Sequence, residues 1–137
     1  MALVVDTGVL LAALDESDPD HRVCRELLED VTEPLVVPAP VLVELDYWLR
    51  KLAGVDVWLT FCEEVNAGAY RIHALDDVTL LAAARLQATY ADNPIGFVDA
   101  AVAATCAALG EDRVATLDHR HFGVLRVGDR HLRIVPD

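Results

Sequence analysis

The chain begins with Leu3-Val4-Val5-Asp6-Thr7, in which a short apolar run stops at a carboxylate. An unbroken apolar run of this length is typical of a strand that is buried on both faces, as in a parallel sheet. Similar runs alternate along the chain with apolar patterns of helical period, which is the arrangement of α/β proteins. We therefore predict one domain over residues 1–137, built on a mainly parallel sheet with helices on both faces.

The predicted elements follow one another in a regular order. We expect strands at 2–6, 35–37, 70–73 and 113–117, and helices at 7–13, 19–30, 41–52, 55–65, 76–90 and 97–109. Near the C-terminus, Gly128-Asp129 stands between Val124–Arg126 and Leu132–Val135, which predicts a hairpin.

Composition limits the classes of function that the chain can have. Its 137 residues, 54% of them apolar, are enough for a real core, and the three cysteines have no metal-binding or disulfide spacing. The net charge of −12 argues against a broad basic surface for nucleic acid, but not against a nuclease in which a metal ion supplies positive charge locally. No apolar run reaches membrane length without a charge and no signal peptide is recognisable, so we expect a cytoplasmic protein.

Four acidic residues stand in apolar surroundings where packing does not explain them: Asp6, Glu44, Asp99 and Asp118. A carboxylate in such a place is costly unless it becomes neutral or meets a cation. Because functional clefts of parallel sheets lie at the carboxyl ends of the strands, all four can converge on one edge. The sequence thus predicts a site for a hard divalent metal, which takes oxygen ligands.

Neighbours along each helix separate these acids from ordinary surface charges. Glu44 and Asp99 have no cation three or four positions away, whereas Asp46 has Arg50 four positions on. Asp6 and Asp118 are also well placed to cap helices, and either role explains each of them equally well. The convergence of four acids favours the metal site.

Carboxylate ligands indicate which metal ions the site can bind and which reaction it can support. Mg²⁺ and Mn²⁺ bind carboxylates and keep several waters, and one or two such ions can support the displacement at a phosphate. Thr7 and Thr116 flank the acids and could orient a carboxylate or a bound water, although β-branched residues at strand ends are as good an explanation.

Four segments, in order along the chain, resemble those of one family: Val4–Leu10, Pro38–Glu44, Gly96–Ala100 and Ala115–Phe122. The chain is similar to PIN-domain ribonucleases, and more narrowly to VapC-type toxins of type II toxin–antitoxin pairs. The resemblance implies a three-layer α/β/α sandwich, a Mg²⁺- or Mn²⁺-dependent endoribonuclease, a homodimer, and a cognate antitoxin that blocks the acidic groove, often with a basic side chain.

Residue by residue, the resemblance places Asp6, Glu44, Asp99 and Asp118 on the acidic quartet of the family. We expect Asp6 and Asp99 to be the principal metal ligands, with Glu44 and Asp118 completing the site directly or through water. A metal-activated water would attack the RNA phosphate, and the resemblance implies products with a 5′-phosphate and a 3′-hydroxyl. Thr116 matches the usual hydroxyl position. Gly8 stands where many members have Ser or Thr, and His119 where Arg is common.

Other residues are assigned by simpler arguments. Arg120, His119 and His121 could touch phosphate, but we favour solvated side chains at a helix start. Tyr47, Trp48, Leu49 and the apolar face of the helix at 76–90 could form a dimer interface. For Trp48 we favour the core, as we do for Trp58 and Phe61.

Two other functions fit part of the pattern. A phosphoaspartyl enzyme or receiver domain also has an Asp at a strand end, but it needs a lysine in the pocket, and Lys51 is the only lysine. A non-catalytic PIN-like module that binds RNA or protein remains open, although the complete quartet argues against it.

Overall fold

The computed structural model describes all residues from Met1 to Asp137. Its main sheet has five strands: β1 (Leu3–Val5), β2 (Leu35–Pro38), β3 (Arg71–His73), β4 (Arg113–Ala115) and, from the last segment, β7 (Arg133–Val135). Their order across the sheet is β3-β2-β1-β4-β7, and every pair is parallel. Two further strands, β5 (Arg126–Val127) and β6 (Arg130–His131), form a separate antiparallel hairpin.

Seven helices connect the strands: α1 (Thr7–Leu14), α2 (His21–Asp30), α3 (Ala39–Leu52), α4 (Val55–Asn66), α5 (Asp77–Thr89), α6 (Phe97–Leu109) and α7 (His119–Phe122). The helices α1 to α4 pack on one another, and α5 packs on α6. Because connections between parallel strands are right-handed, and the chain reverses direction across the sheet after β3, these two groups cover opposite faces. The predicted three-layer α/β/α fold is confirmed.

The core lies between these layers. The three residues of β1 are completely buried, and in α6 the consecutive residues Ala100–Cys106, which cover every side of the helix, are buried. This burial on every side explains why α6 is apolar around its circumference and has no polar face for solvent. The helix ends at Gly110, whose φ of 67° lies in the left-handed region that glycine adopts without strain.

The C-terminal prediction is wrong in one respect. Gly128-Asp129 does form the turn of a hairpin, with Gly128 at a φ of 64°, but each arm has only two residues. The apolar residues of the predicted second arm belong instead to β7, which joins the main sheet beside β4. Pairing with a buried parallel strand covers Ile134 and Val135 better than a two-stranded ribbon would.

Two other expectations differ from the structure. Helix α3 begins at Ala39, two residues before the predicted start at 41, and Pro40 lies in its first turn, where a proline has no hydrogen bond to lose. Trp48 is 44% exposed, so its assignment to the core is wrong, whereas Phe61 is buried and Trp58 packs against the core.

Candidate metal and active site

Asp6 joins the ends of the two central strands. It follows β1 directly and caps α1, with its Oδ1 accepting a hydrogen bond of 2.8 Å from the backbone N–H of Thr7. Its Oδ2 accepts a bond of 2.8 Å from the hydroxyl of Thr116, just beyond β4. The backbone N–H of Asp6 donates to Ala115 at 2.8 Å. With only 6% of its surface exposed, Asp6 is a buried carboxylate between adjacent strand ends.

Glu44 approaches the same place from α3. The hydroxyl of Thr7 donates to Glu44 Oε1 at 2.7 Å and so connects this helix to the start of α1. Glu44 itself is exposed, in contrast to Asp6. The two threonines that the sequence singled out therefore each donate a hydrogen bond to one acid of the quartet.

Asp118 and Asp99 complete the cluster from β4 and α6. Asp118 caps α7: its Oδ1 accepts from the backbone N–H of His121 at 2.9 Å, and its Oδ2 lies 2.8 Å from Nδ1 of the same residue. That Nδ1 is also 3.8 Å from Oδ2 of Asp99, in the first turn of α6. Ligand atoms of Asp99, Asp118 and His121 all lie within 4.8 Å of one another.

The electrostatics of the acids differ sharply. Burial, with further repulsion from Asp99 and Glu44, raises the pKa of Asp6 to about 6 in spite of the hydrogen bond from Thr116. Burial and the charge of Asp118 likewise raise the pKa of Asp99 to about 6. Burial also acts to raise the pKa of Asp118, but hydrogen bonds from His121 outweigh it, and that pKa falls below the usual range. The acids thus repel one another, and a cation would relieve this repulsion.

The donor set fits a hard divalent metal ion. Carboxylate oxygens are the ligands that Mg²⁺ and Mn²⁺ prefer, and the four acids come from four different elements that the fold holds together. The capping expected of Asp6 and Asp118 is also present, because a carboxylate has enough lone pairs to accept a backbone hydrogen bond and still face a cation. Capping and convergence are therefore compatible.

Asp46, the acid that the sequence assigned to the surface, forms the predicted ion pair with Arg50. Asp46 accepts a hydrogen bond of 2.6 Å from Nε of Arg50 on the exposed side of α3, away from the cluster. The lysine that a phosphoaspartyl pocket would need is also elsewhere. Lys51 lies over the Trp48 ring, with Nζ 5.4 Å from its centroid, near the end of the same helix.

His121 is the residue that reasoning from the sequence missed. His119 and Arg120 are exposed, in line with solvated side chains at a helix start, but that interpretation is wrong for His121, which contacts Asp118. A signal was present, because residues three apart on one helix meet on the same face. The contact with Asp99, which is far away in sequence, could not be read from spacing.

The chain matches the family model of the PIN domain over residues 3–127, and it belongs to this family. It is 33% identical to Ribonuclease VapC26 of Mycobacterium tuberculosis over 135 residues, which are 98% of this chain and 100% of the relative. The family resemblance of the four sequence segments is thereby confirmed.

Solved structures with low sequence identity share the fold. VapC20 of Mycobacterium tuberculosis, a sarcin-ricin loop cleaving toxin, has a TM-score of 0.76 at 18% identity, over 82% of this chain and 86% of that one. DNA-bound VapBC from Salmonella typhimurium has a TM-score of 0.71 at 20% identity, over 98% and 96%. A toxin–antitoxin complex from Klebsiella pneumoniae has a TM-score of 0.69 at 14% identity, over 91% and 93%.

Proposed function

We propose that this protein is a metal-dependent endoribonuclease and the toxin of a toxin–antitoxin pair. The observation that carries the proposal is the meeting of Asp6, Glu44, Asp99 and Asp118 at one edge of the sheet, where burial and mutual repulsion raise the pKa of two of them. Membership of the PIN family and the full-length similarity to a VapC ribonuclease support the reaction.

Within this proposal, the four acids would hold Mg²⁺, and Mn²⁺ could take its place because both ions prefer oxygen ligands. Ligand oxygens of Asp99 and Asp118 lie within 4.8 Å of each other, while Asp6 is buried and Glu44 is exposed. His121 adds an imidazole to the donor set, a ligand that Mn²⁺ accepts more readily than Mg²⁺ does. A divalent cation bound there lowers the pKa of a water molecule and neutralises charge on a phosphate oxygen.

The protein's own contribution is the fixed orientation of these groups. Thr116 holds one oxygen of Asp6 and receives the backbone N–H of Asp118 at 3.0 Å, so a single hydroxyl relates two acids to each other. The hydroxyl of Thr7, at the start of α1, donates to Glu44 and so fixes the position of that carboxylate. Such hydrogen bonds to ligands hold a site ready for its metal, and their loss commonly costs about 10- to 100-fold in affinity or activity.

An apolar cleft beside the acidic edge suits the antitoxin. It has a volume of about 450 Å³ and is formed by Ala39, Pro40, Val43, Leu75, Phe97 and Val98. Val43 and Val98 directly precede Glu44 and Asp99 in the sequence. We expect the cognate antitoxin to place apolar side chains in this cleft and a basic side chain on the acids, because that combination complements both surfaces.

Exposed apolar residues on α3 and α5 support the expected homodimer. Tyr47 and Trp48 are 55% and 44% exposed on α3, and Val78 is 78% exposed on α5, whereas Leu49 is fully buried and cannot take part. Replacing Val78 with Glu should shift the protein toward the monomer in analytical ultracentrifugation. An unchanged dimer would place the interface elsewhere.

No helix combines the length and the apolar character needed to cross a membrane.

The proposed reaction is tested by cleavage of a panel of tRNA and rRNA with Mg²⁺, with Mn²⁺ and with chelator. We expect defined internal cuts with either metal and none with chelator, and 5′-phosphate ends on the products. Cuts of equal rate in chelator would refute metal dependence. Failure to cut any RNA, together with tight RNA binding, would favour the non-catalytic module instead.

A further inference from the structure

The charge of this protein is unevenly distributed along the chain. Residues 113–137 contain five arginines and three aspartates, whereas residues 1–112 contain six basic and twenty acidic residues. The last segment is thus slightly positive in a protein with a net charge of −12. RNA is repelled by an acidic surface, so any local excess of arginine has a large influence on where it can bind.

Most of these arginines have no acidic partner. Four arginines of the chain form ion pairs with carboxylates, namely Arg22, Arg25, Arg50 and Arg113. Four others of the C-terminal segment are exposed and have no carboxylate within 4.0 Å, and we refer to them as the basic strip: Arg120, Arg126, Arg130 and Arg133. In a chain with twice as many acids as bases, four unpaired guanidinium groups in one segment are available to an outside anion.

The basic strip begins beside the acidic site and leads away from it. Arg120 lies in α7, two residues after Asp118. The next turn is tied to this helix because the backbone N–H of Leu125 donates to His121 at 3.3 Å. Arg126 follows His121 by five positions, which limits the distance between their Cα atoms to about 18 Å.

The distal part of the strip reaches the opposite edge of the sheet. Arg130 borders a cleft with Gly110 and Asp112, which precede β4. Arg133 is in register with Arg113 at the first position of that strand. The strip therefore runs along the β7 side of the molecule, from the carboxyl ends of the strands to their amino ends.

The scaffold beneath the strip is anchored to the core. Phe122, Leu125 and Leu132 are buried and attach the hairpin to the core. The backbone N–H of Arg126 donates to the hydroxyl of Tyr90 at 3.0 Å, and its Nε donates to Nε2 of His131 at 3.2 Å. Arginines on a fixed hairpin lose less conformational freedom on binding than arginines on a loose loop would.

We propose that the basic strip binds the phosphate backbone of the RNA substrate on one side of the cleaved bond, and so aligns it with the acidic site. The inference rests on the proposed ribonuclease function. An acidic site repels RNA in the absence of metal, so the affinity for the strand must come from positive charge outside it. The planar guanidinium group, which binds phosphate through two parallel hydrogen bonds, suits this role.

The test compares two double variants with equal changes of charge. Arg126→Gln/Arg130→Gln removes two charges from the strip, and Arg120 is left intact because it adjoins the site. Arg25→Gln/Arg71→Gln is the matched control, since Arg71 is exposed on β3 at the other edge of the sheet and Arg25 is paired on α2. Binding of a fluorescently labelled RNA stem–loop is measured by anisotropy in chelator, over a series of salt concentrations.

We expect the strip variant to bind about tenfold more weakly than wild type, with the slope of log affinity against log salt reduced by about 1.5. The control should bind within about twofold of wild type. Circular dichroism confirms that both variants are folded.

Three outcomes of this experiment would overturn the inference. Equal RNA binding by wild type and the strip variant overturns the inference and points to an acidic protein segment as the partner of the strip. An equal loss in both double variants shows a general effect of charge and also overturns it. Absence of RNA binding by wild type does the same. The proposed reaction fails separately, if wild type with Mg²⁺ cuts no RNA.

Discussion

Asp6 and Asp118 are both aspartates at the ends of neighbouring strands, yet the fold shifts their pKa values in opposite directions. Each follows one of two adjacent parallel strands, and each caps the helix that comes next. Burial and the nearby charge of Asp99 raise the pKa of Asp6 to about 6. At Asp118 burial is outweighed by the hydrogen bonds of His121, and the pKa is lowered. Depth in the fold and the hydrogen-bond partner decide the difference, and the residue type does not.

This difference divides the site into two parts. The inner part, Asp6 and Asp99, is where negative charge is costly without a cation, and the outer part, Asp118 with His121, holds its charge readily. A bound metal ion would therefore stabilise the inner part most. The comparison can be tested by removing each part in turn, and the predictions below run from the largest expected effect to the smallest.

Loss of an inner carboxylate should abolish the proposed reaction. Asp6→Asn and Asp99→Asn should each reduce RNA cleavage with Mg²⁺ by at least about a hundredfold, because a neutral amide binds the cation poorly. Both variants should remain folded by circular dichroism. The matched control is Asp46→Asn, which removes an exposed ion pair on α3 and should retain wild-type activity. Full activity of both inner variants would refute the assignment of the site.

The inner carboxylates should also make the metal-free protein less stable as the pH rises. The pKa of Asp6 goes from 3.8 in the unfolded chain to about 6 in the fold, so between these values the folded state binds more protons. Its free energy of unfolding therefore falls as the pH rises through this window. At about 1.4 kcal/mol per pKa unit, Asp6 alone accounts for about 3 kcal/mol. The lowered pKa of Asp118 acts in the opposite direction, but below pH 4.

Thermal denaturation at pH 5 and pH 7 in chelator measures this effect. We expect the higher melting temperature at pH 5, a smaller difference in Asp6→Asn, and recovery of the pH 7 value when Mg²⁺ is added. A wild-type protein that is equally stable at both pH values in chelator would show that the pKa values of the inner carboxylates are not raised by the fold.

Removing the imidazole should affect Asp118 most, Asp99 less and the buried Asp6 least, because Nδ1 lies 2.8 Å from Asp118 and 3.8 Å from Asp99. In His121→Gln the backbone N–H to Asp118 is kept, but the 2.8 Å contact of Nδ1 is lost. We expect the pKa of Asp118 to rise toward its usual value, RNA cleavage to fall about tenfold, and activity with Mn²⁺ to fall more than activity with Mg²⁺. Carboxylate NMR measures the pKa. A shift at Asp6 equal to that at Asp118 would contradict the division into two parts.

The smallest effect is expected at Gly8, beside the inner part. A Cβ there would meet only the side chain of Leu117, at 3.8 Å, which is an ordinary contact. Gly8→Ser should therefore raise the free energy of unfolding by about 0.5 kcal/mol, because serine has the better helix propensity. Chemical denaturation measures this change. A loss of stability would mean that the start of α1 does not tolerate a serine at this position.

Local signals predicted most of the elements well. The bounds of α6 were predicted at Phe97 and Leu109, because Asn93-Pro94 precedes the helix and Gly110 ends it. Predictions failed where a distant contact decided the outcome. Residues 132–135 do not form the second arm of the hairpin, because strand β7 in this segment pairs with β4 at the edge of the main sheet. Trp48 lies on the surface, although a tryptophan is usually well buried.

Local patterns in the sequence were enough to predict the layered α/β fold and to single out the four acids of the proposed site. This was possible because apolar runs and helical periods are local properties, and because an acid without a nearby cation stands out in an apolar segment. The differences between those acids, by contrast, arise from tertiary contacts. The pKa of a carboxylate depends on burial and on partners such as Thr116 for Asp6 and His121 for Asp99, and these lie far away along the chain.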